Sequence, residues 1–538
     1  MEMKKTDVIL VLLASLFGLT ACKNKNKEGA VDDTEQTIPL TIEENLYRPN
    51  FHFTPISGWM NDPNGMFYLN GYYHLYFQHY PDGNKWGPMH WGHAKSKDLI
   101  HWEEMPIALF PDEMGYIFSG SAIVDHENKS GFGVEGQPPI IAFFTYHNTE
   151  MQNQGRVDFQ SQAIAYSLDE GNTWTKYDEN PVVKNPGIHD FRDPKVVWDK
   201  KGKQYIMSLA AGQEIRFYGS KNLKDWKFLS EFGKGVGNHD GVWECPDLFP
   251  IKVQGLDEEK YVLLVSINPG GYNGGSGTQY FVGDFEEGRF VLEPSLQEKM
   301  SNYHDYWVDF GKDNYAGVTW SNIETEEKEK LFIGWMSNWQ YANEVPTEKW
   351  RSAMTIPREL QLIANDSGYR LSFVPTKTLD EGKSEKIKTY GRMDISEPKE
   401  LLESESIPLS SASLTFTLMN AKSSSVAVKL KNDVKEELVF GFDHGSQTFF
   451  VDRTHSGKTD FSKDFAPKPS IAPRIIGSES LQVTALLDKT SIELFFDNGT
   501  TVMTEIFFPE QPFTELWFTS SGENAQLDNI KLSELKNN

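Results

Sequence analysis

Three stretches of this chain set a carboxylate close to a proline among residues that otherwise resemble strand. Asp62 lies in Gly58-Trp59-Met60-Asn61-Asp62-Pro63-Asn64-Gly65, Asp193 in Asp190-Phe191-Arg192-Asp193-Pro194, and Glu244 in Trp243-Glu244-Cys245-Pro246-Asp247. Proline removes a ladder donor and glycine brings no side chain to pack, so such composition does not belong in an ordinary strand interior. Asp-Pro-Asn-Gly alone is good surface-turn chemistry. Three such carboxylates with indoles near by point instead to catalysis. Arg192 is expected to keep its neighbour Asp193 ionised. Glu244, flanked by Trp243, Cys245, Pro246, Leu248 and Phe249, is expected to sit in an apolar site that raises its pKa towards that of a general acid. An ionised carboxylate beside a protonated one is what glycosidic bond cleavage requires.

Convergence of these residues needs a scaffold. From Phe51 to about Val374 the chain shows short apolar runs, such as Tyr72-Tyr73-His74-Leu75-Tyr76-Phe77 and Tyr261-Val262-Leu263-Leu264-Val265, each bounded by Gly, Asp, Asn or Pro. Runs of that length with those boundaries predict strands. Ser96-Lys97-Asp98-Leu99-Ile100-His101-Trp102 is repeated as Ser220-Lys221-Asn222-Leu223-Lys224-Asp225-Trp226, with a looser relative at Ser167 to Trp174. A turn recurring every few strands predicts the blades of a β-propeller, five of them in this length, whose axis would gather the three carboxylates. Charged residues without apolar pattern at 376–389 read as a linker. Cleaner alternation over 390–538, with an Asn-Gly turn at Asn498-Gly499, predicts an antiparallel β-sandwich with a supporting role.

The chain has 538 residues, enough for two domains, and a formal charge of −25, which disfavours nucleic acid and anionic membranes and leaves neutral partners such as sugars. Lys4, Lys5 and the apolar run Val8 to Leu19 predict a signal peptide over 1–22, too short to span a bilayer. Leu19-Thr20-Ala21-Cys22 resembles a bacterial lipobox, which implies lipidation at Cys22. Residues 23–47 then read as a polar tether, and Lys23 favours the outer membrane by analogy with enteric bacteria. The only other cysteine is Cys245, for which a buried, inert thiol is expected. His79, His90, His93, His101 and His147 have no metal-ligand spacing, and no cofactor is expected.

The three carboxylate stretches resemble the signatures of glycoside hydrolase family 32, the invertases, inulinases, levanases and related fructan hydrolases. Further matches are His74-Leu75-Tyr76-Phe77-Gln78, the stretch from Trp86 to His93, Phe118-Ser119-Gly120-Ser121 and Trp350-Arg351-Ser352-Ala353-Met354. The resemblance covers Arg48 to Val374 and, more loosely, the remainder. It implies an all-β fold, a five-bladed β-propeller at 48–375 followed by a sandwich, and retaining hydrolysis of β-fructofuranosides. Carried over residue by residue, Asp62 is the nucleophile, Glu244 the acid/base and Asp193 the transition-state stabiliser. Asn61, Gln78, Trp86, Phe118, Ser119 and Arg192 would line a fructose pocket, with Trp335 and Trp350 as further candidates. Asn338 to Asn343 resembles exo-acting inulinases and levanases more than dedicated invertases. Exo-hydrolysis of fructans, with sucrose as a second substrate, is therefore expected. Endo-hydrolysis and fructosyl transfer share the same chemistry. A non-catalytic fructan-binding lipoprotein would tolerate loss of a carboxylate, and all three are present.

Overall fold

Short apolar runs punctuated by glycine and proline leave little length for helices, and almost every regular element is a strand. The computed structural model describes residues 42–134, 136–323, 330–365, 368–381, 383–401 and 407–535. The expected signal peptide, Cys22 and the tether up to residue 41 lie outside the described residues. No helix among the described residues is long and apolar enough to cross a membrane.

Five antiparallel sheets follow one another along the chain, each opening with the strand nearest the axis. These inner strands are Gly58–Leu69, Tyr116–Val124, Phe191–Asp199, Val242–Lys252 and Tyr315–Thr319. They neighbour one another in ring order, the last touching the first. Trp350–Arg351, which follows the second strand of the fifth blade in sequence, pairs in parallel with Gly58 and Trp59 and completes the first blade. That closure removes a free sheet edge. The repeated sequence is a turn shared by three blades. Ser96 Oγ accepts from Leu99 N at 2.9 Å, Ser220 Oγ from Leu223 N at 2.9 Å, and Ser167 Oγ from Gly171 N at 2.9 Å. Each joins the third strand of its blade to the fourth.

Every inner strand also breaks register with its neighbour close to the axis residues, and the first does so again between Asn64 and Phe67. The slips fall between Met60 and Pro63, Phe118 and Gly120, Arg192 and Lys195, Glu244 and Asp247, and Tyr315 and Val318. A bulge bends a strand and re-aims its side chains. Here the residues passed over or next to the slip include Asp62, Ser119, Asp193, Glu244 and Tyr315. The prolines stand inside the first, third and fourth bulges, where no ladder donor is needed. Asp193 and Cys245 take positive φ, 68° and 46°, conformations that cost a non-glycine residue on the order of 1–3 kcal/mol. Gly120 has no such freedom to lose: a Cβ there would lie 1.9 Å from the Phe143 carbonyl oxygen.

Two further sheets pack face to face as the C-terminal sandwich. Lys383–Tyr390, within the stretch expected to be a linker, pairs with Ala525–Leu535 as a strand at the end of one sheet. Its charged residues suit an edge, which is why it carries no core-like pattern. The sandwich meets the propeller through backbone pairs, Phe310 N to Val502 O at 2.8 Å and Asp313 N to Thr504 O at 3.1 Å. One apolar core cluster runs through both.

Candidate active site

At the end of the channel where the inner strands begin, a pocket of about 400 Å³ is lined by Asn61, Asp62, Gln78, Trp86, Phe118, Ser119, Arg192, Asp193 and Glu244, together with His147, Gln152, Phe159, Gln160, Asp190 and Trp339. Its base is solid. Lys195, two residues beyond Asp193, reaches Asp247 at 3.3 Å. Thr319 donates to the same Asp247 oxygen through N at 2.6 Å and Oγ1 at 2.8 Å. A larger cavity of about 830 Å³ opens near the other ends of the inner strands and contains none of the three catalytic candidates.

Asp62 is held by three donors. Asn61 Nδ2 gives to Oδ1 at 2.9 Å, while Ser119 Oγ at 2.6 Å and the Cys245 thiol at 3.5 Å give to Oδ2. Asn61 is itself fixed by Trp59 Nε1, which donates to its Oδ1 at 2.7 Å. Burial pushes the Asp62 carboxyl above its ordinary range, Ser119 and Asn61 pull it back, and the charge of Glu244 raises it again. Asn64 ties the first two blades together, donating to Asp62 O at 3.1 Å and accepting from Gly120 N at 3.0 Å.

Asp193 takes the backbone N–H of Cys245 at 3.0 Å, and the thiol lies 3.6 Å from the same oxygen. Cys245 is therefore buried as expected, but its thiol bridges Asp62 and Asp193. Glu244 is reached from two sides. Arg192 Nε and Nη2 donate to Oε1 at 3.1 and 2.9 Å, and the Tyr315 hydroxyl donates to Oε2.

These contacts correct two expectations. Arg192 was expected to serve Asp193, but its guanidinium forks onto Glu244 and stands 4.0 Å from Asp193. The Asp193 carboxyl is raised to about 7: burial lifts it, Arg192 only partly offsets this, and Glu244 and Asp62 add to the rise. Glu244 does not occupy the apolar site expected from its sequence neighbours, because its carboxylate meets a guanidinium and a phenol. Neighbours in a strand point to opposite faces, so flanking residues say little about what the side chain itself touches.

Trp335 and Trp350 do not line the pocket. Trp335 is fully buried behind it, its ring 4.9 Å from Trp339 and 6.1 Å from Trp59, and thus backs the wall that Trp339 presents. Trp350 packs in a separate cluster with Tyr341, Phe465 and Phe508, under the Arg48 guanidinium at 4.0 Å. The pocket residues missed from sequence were Trp339, His147, Gln152, Phe159, Gln160, Asp190 and the Glu244 partner Tyr315. None carries a carboxylate–proline signal. Asp190 does open the stretch quoted for Asp193, and Trp339 stands in the Asn338 to Asn343 stretch singled out on other grounds. Among the described residues no cluster of His, Cys, Asp and Glu could hold a metal ion.

Two family models match the chain, the glycosyl hydrolases family 32 N-terminal domain over residues 52–375 and the family 32 C-terminal domain over 379–534. A levanase of Bacillus subtilis is 43% identical over 493 residues, covering 91% of this chain and 70% of the levanase. An extracellular exo-inulinase of Aspergillus niger is 38% identical, covering 90% of this chain and 94% of that enzyme. The crystal structure of exo-inulinase from Aspergillus awamori superposes with a TM-score of 0.82 at 34% identity, covering 92% of this chain and 99% of that one.

Proposed function

Since this chain belongs to glycosyl hydrolase family 32 and is a β-fructosidase acting on fructans and sucrose, we propose that it hydrolyses them from the chain end with retention, through Asp62, Glu244 and Asp193. Asp62 attacks the anomeric carbon of a terminal fructosyl unit while Glu244 protonates the leaving oxygen. Water, deprotonated by Glu244, then releases fructose from the fructosyl-enzyme. Retention requires the two carboxyl groups to stand roughly 5–5.5 Å apart. The fructosyl carbon is tertiary, so bond breaking runs ahead of attack and Asp193 offsets the developing positive charge.

One observation carries the role of Asp62. Its carboxylate is already held by Asn61, Ser119 and Cys245, with a lone pair of Oδ1 left free to attack, so it is aimed before substrate arrives. The Tyr315 hydroxyl and Arg192 hold Glu244 from the other side of the trio in the same way. Exo-attack is supported by the exo-inulinase relatives, one 38% identical in sequence and another superposable at a TM-score of 0.82, and by Trp339 of the Asn338 to Asn343 stretch, which lines the pocket. Early products from levan and inulin test this. Fructose alone is expected, and a ladder of oligosaccharides would overturn the exo reading.

Export is supported by the signal-like segment and by the extracellular Aspergillus relative, and anchoring by the lipobox-like Leu19-Thr20-Ala21-Cys22. The reading has the enzyme tethered to the cell envelope, on the outer membrane, through a lipid on Cys22. Metabolic labelling with palmitate checks it. Label is expected in the wild type and lost in Cys22→Ser, and an unlabelled wild type would overturn the anchor.

A further inference from the structure

Arg192, which forks onto Glu244, is placed by a chain of side chains that starts on the neighbouring blade. Its Nη1 donates to Asp190 at 2.6 Å and, at 3.5 Å, to Oε1 of Gln160. The same Gln160 oxygen accepts the backbone N–H of Phe191 at 2.8 Å. A backbone N–H can only donate, so this bond fixes which way the Gln160 amide points. Its Nε2 must then face the other way, onto Nδ1 of His147 at 3.2 Å. That makes Nδ1 an acceptor and leaves the ring proton on Nε2, where Oε1 of Gln152 takes it at 3.0 Å. Every link has one polarity, and donation runs from the strand that carries Phe191 and Arg192 through Gln160 and His147 to the Gln152 oxygen.

We propose that His147 is a positioning residue for Arg192 and Glu244, acting through the Gln160 amide and only as the neutral Nε2–H tautomer. A proton on Nδ1 would confront the Gln160 NH₂ and turn the amide round, setting its NH₂ against Phe191 N–H and Arg192. The surroundings resist that proton. Burial lowers the His147 pKa to about 4; the Gln152 bond and Asp190 oppose this, whereas the charges of Arg192 and His189 add to it. Packing fixes the ring plane, because His147 stacks on Phe118 at 4.2 Å and 10° and meets the edge of Phe159 at 5.2 Å. Phe118 and Phe159 both line the pocket, so the wall that would contact substrate and the relay that sets Arg192 share one imidazole.

The test rests on the β-fructosidase reading for its kinetics and stands apart from it for its spectroscopy. His147→Phe keeps the stack on Phe118 and removes both nitrogens. It is expected to lower kcat on sucrose about 10-fold or more with KM changed by less than about 3-fold, the pattern of a misplaced catalytic group. Gln160→Glu is the sharper variant, being nearly isosteric. Its carboxylate still accepts from Phe191 N–H and Arg192, but now offers His147 an acceptor, so Nδ1 must carry a proton, and with Nε2–H still held by Gln152 Oε1 the ring becomes an imidazolium. Activity should survive at acid pH and fall as pH rises through the new His147 titration, a limb that the wild type lacks. ¹⁵N spectra of histidine-labelled protein report the tautomer whether or not any substrate is cleaved: wild type should show Nε2–H, and Gln160→Glu a doubly protonated ring. An Nδ1–H ring in the wild type, kcat of His147→Phe within about 2-fold, or a Gln160→Glu pH profile superimposable on the wild type would each overturn the proposal.

Discussion

Two of the places where this protein buries charge are built on opposite terms. At the junction of propeller and sandwich, Arg358 pairs with Asp309 at 3.0 Å and Glu493 at 2.6 Å, and His52 lies between Asp488 and Glu493 at 2.8 Å from each. Nearly every side chain there is fully buried, and each of the two cations bridges two of the three carboxylates. Burial pushes the Glu493 carboxyl up, but Arg358 and His52 more than offset it and hold it below its ordinary value. At the axis three carboxyls share Arg192, which engages mainly Glu244, and both Asp62 and Asp193 are raised. Matched charge fixes a joint, whereas unmatched charge stores the capacity for proton transfer and nucleophilic attack.

The largest effects should come from the axis and appear in rate. On the proposed roles, Asp62→Asn removes the attacking oxygen charge and Glu244→Gln the exchangeable proton, so each is expected to lower kcat on sucrose by roughly 10³-fold or more. Thermal unfolding should show both variants folded at the assay temperature. Activity near wild type in either variant would remove that residue from the mechanism.

The junction should fail differently. Arg358→Met strips Glu493 and Asp309 of their shared counter-charge inside the protein, which typically costs about 3–5 kcal/mol. Chemical denaturation should therefore shift strongly, while kcat per folded molecule stays near wild type. Rate loss without loss of stability would erase the distinction between the two clusters.

His52 makes the same contrast visible as pH dependence. Burial lowers its pKa, but the bonds to Asp488 and Glu493 dominate and raise it from 6.5 to about 9. A base with a raised folded pKa contributes stability that is complete below the unfolded value and is lost as pH rises through the folded one. The window is thus about pH 6.5 to 9, and the contribution is roughly 3 kcal/mol, less what the surrounding groups relax. Unfolding free energies of wild type and His52→Gln at several pH values should converge as pH exceeds 9. A constant difference would show that His52 is held neutral.

What was legible in the sequence follows from which physics is local. Asp62, Asp193 and Glu244 could be found because proline and glycine beside a carboxylate conflict with a strand, and the conflict is the bulge itself. The repeated Ser-Lys-Asp-Leu turn revealed the blades because its bonds close within a few residues. The target of Arg192 was not legible, since a bulge at Asp193 and a neighbouring blade decide which carboxylate it meets. Tyr315, Trp339, His147 and Gln160 were missed for the same reason: ring closure brings them to the pocket, and no pattern within their own strands marks it. Trp350 shows the converse, an aromatic inside a recognisable stretch that faces away from the axis.

The smallest expected effect probes the cost of the axis cluster. Asp193 is an acid whose folded pKa, about 7, lies above its ordinary 3.8. Between those values the folded state holds more protons than the unfolded chain, so this group makes stability fall as pH rises from about 4 to 7 and leaves it flat above. Asp193→Asn removes the titration while its amide oxygen can still accept from Cys245 N. It should lose most activity and yet be more stable by about 1–2 kcal/mol above pH 7, a gain kept modest because Arg192 and the Cys245 N–H already offset part of the Asp193 charge. The gain should shrink towards pH 4, where the wild-type carboxyl is already protonated. Calorimetry at pH 4.5 and 7.5 reads the difference. A variant less stable than wild type at pH 7.5 would mean that Arg192 and the Cys245 amide fully offset the charge of Asp193, and that the axis is as well matched as the junction.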